Sequence, residues 1–129
     1  MTLNSTGSNP IVSARFGGID FGQCTLFFKA QSDDSFSPIY SFDNQNSSAF
    51  VFAIDPVKLL GISKKISDLV GCQIGWTVTF IDMDESTISP FSFDLNIDQD
   101  SDSLMTPHFS KVDTITDTSK TFGSTFSFN

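Results

Sequence analysis

Ile74, Trp76, Val78 and Phe80 alternate with Gly75, Thr77 and Thr79. Successive side chains on a strand point to opposite faces, so this stretch segregates a large apolar set from a small, polar one only if it is extended. The same period recurs along the chain. Val12, Ala14 and Phe16 share a face over residues 11–16, and Phe50, Phe52 and Ile54 alternate with Val51 and Ala53. Phe91, Phe93, Leu95 and Ile97 alternate with Ser92, Asp94, Asn96 and Asp98, which reads as a strand with one wet face. Apolar runs at 24–29 and 39–42, a weak edge strand over 112–116 and the closing Phe122, Phe126 and Phe128 complete the set. Turn signals separate these segments: Gly17-Gly18, the polar stretch 31–38, Asp43 to Asn46, and acidic loops at 82–89 and 98–108. Short strands punctuated every 8–12 residues predict a mainly β protein, an antiparallel β-sandwich of seven or eight strands. The 129 residues suit one domain. We place it at residues 10–129, preceded by a flexible polar arm over residues 1–9.

The period changes once. Asp55 can cap a helix, and Pro56 suits its first turn because the missing N–H is not needed there. Leu59, Ile62, Ile66, Leu69 and Val70 then fall at spacings of three and four, and Gly71 is a suitable stop. One α-helix over residues 56–70 is expected, weakened at Gly61 by about 1 kcal/mol relative to Ala. The acids agree with a strand-and-loop chain. Glu85 is the only Glu among 15 acidic residues, and Asp favours turns and caps over helix interiors.

Seven Lys and Arg against 15 acids give a net charge of −8. Such a chain repels phosphates and anionic lipid, and its cations cluster only at Lys58, Lys64 and Lys65, so no nucleic-acid partner is expected. No apolar run reaches about 18 residues, so no membrane insertion is expected. The first ten residues show neither a basic start nor an apolar stretch, which points to the cytoplasm, with leaderless export as the other route. Cys24 and Cys72 are then read as free thiols, small buried hydrophobes beside strand residues. The two Asn-x-Ser/Thr patterns at Asn4 and Asn46 are unsurprising in a chain so rich in Ser and Asn.

Fifteen Phe stand against one Trp and one Tyr. Phe brings large area with no polar handle, and a fully buried ring contributes about 1.5–3 kcal/mol. Fifteen rings are many for one small core. Phe27, Phe36, Phe109, Phe122, Phe126 and Phe128 are the candidates for an interface with other protein, foremost a second copy of this chain. The Phe-rich tail suits either completion of its own sheet or strand addition to a neighbour. Carbohydrate platforms more often use Trp and Tyr, which are scarce here; a hydrophobic-ligand pocket between the sheets is a further reading.

The acids of 82–102 suggest a cation site. Asp98, Asp100 and Asp102 alternate in a tight loop, and Asp82 and Asp84 can join them if the loops share one end of the sandwich. Calcium is the cation such oxygens would take, although Ser103 and Phe109 occupy the EF-hand Gly and Glu places. The plainer reading is a solvated loop that guards a strand edge with charge. For catalysis the chain offers one His, His108, no Gly-x-Ser-x-Gly elbow, no zinc spacing and no phosphate loop. A carboxylate pair, Asp82 or Asp84 with Asp94, is the remaining hydrolase candidate. The sequence thus favours a non-enzymatic structural or interaction protein without a cofactor, self-associating through Phe-rich surface or strand edges. A calcium- or small-ligand-binding sandwich and a small carboxylate-dependent hydrolase follow it.

Overall fold

The computed structural model describes residues 2–18, 21–81, 89–115 and 119–129. In chain order the elements are β1 (Ile11–Gly18), β2 (Phe21–Lys29), β3 (Ser37–Asp43), β4 (Ala49–Ala53), α1 (Pro56–Leu60), a 3₁₀ turn (Ile66–Leu69), β5 (Gln73–Ile81), β6 (Ser89–Gln99), β7 (Asp102–Ser103), β8 (Phe109–Ile115) and β9 (Ser119–Ser127). They form two packed antiparallel sheets, a β-sandwich. One sheet runs β4-β1-β6, with β7 and β8 sharing the far edge of β6; the other runs β3-β2-β5-β9. The pairs β1/β2, β3/β4, β5/β6 and β8/β9 are consecutive in the chain and lie in opposite sheets. Both sheets therefore carry one lateral order, β4-β1-β6-β8 facing β3-β2-β5-β9. The Phe-rich tail completes its own sheet, as β9 against β5 in register Ile74↔Phe126 and Val78↔Phe122.

The alternation read from the sequence lands on the inner faces. Val12, Cys24, Leu26, Ile74, Val78, Phe93, Leu95 and Ile97 are all fully enclosed. A sandwich also has two lateral openings, where facing sheets stand roughly 10 Å apart and only large side chains bridge them. Much of the Phe surplus sits there. On one side Tyr40 and Phe42 of β3 meet Phe52 and Phe50 of β4, each pair with ring centroids 4.9 Å apart. On the other, Phe122 of β9 stacks on Phe109 of β8 at 6.1 Å and on Phe91 of β6 at 5.9 Å. Asp113 of β8 bonds Lys120 of β9 beside this stack, and that bond holds its carboxyl below the usual carboxylate range.

The helix departs from expectation. Residues 56–70 are not one helix but α1 over Pro56–Leu60 and the 3₁₀ turn over Ile66–Leu69. Asp55 does cap, accepting from Val57 N at 3.0 Å. Gly61 then takes φ 141°, which ends the first segment, and Asp68 accepts from Lys65 N at 2.8 Å to start the second. Two local caps replace the interior turns that Gly61 and Ser63 would weaken. Ile62 and Val70, placed on the expected stripe, are exposed, while Ile66 and Leu69 are buried.

Residues of the polar arm are hydrogen-bonded to the domain. Leu3 N donates to Asn129 O at 2.8 Å. The Gln99 side chain accepts from Asn4 N at 2.7 Å and donates to Asn4 O and Ser8 O at 2.7 and 2.9 Å.

Candidate interaction surface

β4 reads Ala-Phe-Val-Phe-Ala and ends its sheet. Phe16 N donates to Ser48 O and Ile54 N to Pro10 O, which fixes the ladder phase. In the register Val12↔Phe52 and Ala14↔Phe50, the even-numbered residues turn their backbone groups toward β1. Ala49, Val51 and Ala53 turn theirs to the free side. The Ser47 hydroxyl covers Ala49, donating to its carbonyl at 3.0 Å and accepting from its N–H at 3.3 Å. Val51 and Ala53 keep unpaired N–H and C=O groups among the described residues, and Val51 is 66% exposed. Soluble proteins guard such edges with charge, Pro or a bulge. β4 has none of these.

The acidic loop is a hairpin turn. Asp100 and Ser101 take φ 53° and 70°, the two left-handed positions of a type I′ turn. Across it Asp98 pairs with Ser103 and Gln99 with Asp102. Cross-strand partners share a face, so Asp98 and Asp102 lie on opposite faces of the hairpin. Asp100 instead accepts from the Ser8 hydroxyl at 2.5 Å, and Asp98 from the Asn96 side chain. Among the described residues no group of three His, Cys, Asp or Glu is disposed to hold a metal. Asp82 and Asp84 lie outside the described residues.

Asp94, the third carboxylate singled out, sits on the outer face of β6 opposite Arg15 of β1. Its Oδ1 is 3.7 Å from His108 Nε2, and both side chains are about half exposed, 48% and 53%. Ser13, Asn96 and Val51 line the same shallow depression, of about 260 Å³.

The six Phe nominated for an interface separate. Phe128 is buried in the core, and Phe109, Phe122 and Phe126 pack against it half-buried. Phe27 and Phe36 alone come together on an outer face, over Gly75 of β5. None of the fifteen Phe is fully exposed; large exposed apolar residues are aliphatic, chiefly Ile62, Val112 and Val51. The surplus therefore closes the sandwich rather than forming an exposed Phe surface. No helix of the described residues is long and apolar enough to cross a membrane.

Both cysteines are free and buried. Burial pushes the Cys24 thiol from 9.0 up to about 12. The unfolded chain loses this proton where the native state keeps it, so the contribution is complete below pH 9.0 and is lost as pH rises toward 12. Urea unfolding followed from neutral pH upward is expected to show Cys24→Ala losing less stability above pH 9.0 than the parent, by at most about 1.4 kcal/mol per pH unit. Parallel curves for the two proteins would contradict this.

Two features escaped the sequence reading. The unguarded edge of β4 depends on strand order, which alternation does not reveal. Gln99 is the one buried polar residue among those described, at 4% exposure. Its signal was present: it continues the inward set Phe91, Phe93, Leu95, Ile97 by one more step of two. No protein-family model, curated protein or solved structure matches the chain.

Proposed function

We propose that this chain is a non-enzymatic interaction module that associates with copies of itself along the free edge of β4. The supporting observation is an uncharged, Pro-free apolar edge strand that leaves Val51 and Ala53 with unpaired backbone groups. An antiparallel copy of β4 satisfies those groups and extends the sheet. A two-fold axis at Val51 sets Val51 against its own counterpart and Ala49 against Ala53, the isologous arrangement of most homodimers. The pairing also covers part of the exposed Val51 side chain.

Amide hydrogen exchange at low and high protein concentration tests the reading. Val51 and Ala53 amides should be fast when dilute and slow when concentrated, while Phe50 and Phe52, already bonded to β1, stay slow throughout. Concentration-independent exchange at Val51 and Ala53 would count against it.

A further inference from the structure

We propose a carbohydrate site separate from the β4 edge: the outer face of the β3-β2-β5-β9 sheet binds neutral saccharide through Phe27, Phe36 and a field of hydroxyls.

Parity places the side chains. Leu26, Trp76 and Val78 point into the core, so their neighbours Thr25, Phe27, Gly75, Thr77 and Thr79 point out. Phe27 lies directly across from Gly75, which is buried and has no side chain to hold the Phe36 ring away. A Cβ built on Gly75 would stand 3.3 Å from the Phe36 ring. The turn that delivers Phe36 is fixed locally: Asp33 N donates to Ala30 O at 3.0 Å, and the Asp33 carboxylate accepts from Ala30 N at 3.1 Å. Two aromatic rings thus flank a groove of about 360 Å³ that runs over Gly75 and Thr77 to Gly123 and Thr125.

The surroundings supply the polar half. Thr25 and Ser41 hydroxyls are bonded at 3.1 Å, Thr79 and Thr121 at 2.9 Å, and the Gln73 amide donates to the Ser127 hydroxyl at 3.0 Å. Thr77 and Thr125, at the groove itself, make no side-chain hydrogen bond among the described residues and are exposed. In a molecule of net charge −8, the outward positions of these four strands carry charge only at two corners, Lys29 and Asp43. That absence of charge selects the occupant. An anionic glycan finds no cation in the groove, and a basic partner finds no acid there. A neutral sugar matches both parts: its C–H face packs on a ring, and its hydroxyls exchange hydrogen bonds with Thr hydroxyls that both donate and accept. Phe supplies the stacking surface, and the neighbouring Thr, Ser and Gln supply the polar edge that Trp or Tyr would otherwise bring.

Affinity electrophoresis of the whole protein tests this in gels containing an α-1,4-glucan, a β-1,4-glucan, a galactomannan or, as the charged control, polygalacturonate. At least one neutral polysaccharide should retard the protein, and polygalacturonate should not. Phe36→Ala should weaken that retardation at least about tenfold, and Thr77→Val, which keeps shape and removes the hydroxyl, several-fold. Phe36→Trp should preserve or strengthen it. Equal retardation of the parent and both weakening variants would overturn the assignment, as would no retardation in any neutral gel. A loss of self-association in Phe36→Ala without any glycan effect would also overturn it, by giving the face to a second copy.

Discussion

Phe93→Ala is expected to remove about 3–5 kcal/mol of unfolding free energy, the upper range for a buried aromatic truncation. Phe93 is fully enclosed on β6, at the middle of the inner face. It contacts Phe16 of β1 at 5.2 Å, Phe122 of β9 at 6.1 Å and Phe109 of β8 at 6.2 Å. Its ring therefore joins the central strands to the aromatic stack that closes one lateral opening. Rings already packed around it on several sides cannot collapse into the space left behind, so the cavity cost adds to the lost burial. A domain of this size is stable by about 5–15 kcal/mol, so one such change consumes a large share of the total. Urea denaturation should show a much lower midpoint with an unchanged slope. A loss below about 1 kcal/mol would mean that the core repacks freely, contrary to the interlocked arrangement described.

Gly22→Ala is expected to cost about 1–3 kcal/mol although it adds a single methyl group. Gly22 occupies an inward position of β2, and a Cβ there would lie 2.9 Å from the Phe16 ring and 2.9 Å from the Phe80 ring. Those rings meet edge to face at 5.7 Å over the glycine. Both are held by further rings, Phe16 by Phe42 and Phe93, Phe80 by Phe91, so neither can swing aside. Elsewhere Gly→Ala in a strand reduces the freedom of the unfolded chain and tends to stabilise. The sign here thus separates overpacking from chain entropy. Thermal melting reads it: a lower midpoint agrees with this packing, and a raised one contradicts it.

The same glycine shows where sequence reading stops. Alternation located the strands because each buries one face, and the inward sets on β1, β5 and β6 follow the period residue by residue. The boundary of β2 was missed by three residues, at Phe21 instead of Cys24, because Gly22 resembles a turn signal. Only the rings of β1 and β5, distant in sequence, reveal that its lack of a side chain is a packing requirement. The helix was overextended for a related reason: spacing registers apolar positions but not the backbone angle at Gly61. In the acidic loop, identity and spacing do not reveal the two-residue turn that sets Asp98 and Asp102 on opposite faces. The Phe count was informative but ambiguous. It signalled rings beyond the needs of two inner faces, and the two lateral openings absorb many of them.

Self-association at β4 is the claim on which the functional reading stands, and sedimentation velocity across a dilution series of the parent and Val51→Lys tests it most directly. Val51 is exposed on the outer face, so the lysine should alter stability by no more than about 0.5 kcal/mol while placing a charge on the pairing edge. The parent should shift from monomer toward dimer between low micromolar and near-millimolar concentration, and Val51→Lys should remain monomeric with an unchanged melting temperature. A parent that stays monomeric over the whole range, or a lysine variant that associates equally well, would contradict the account.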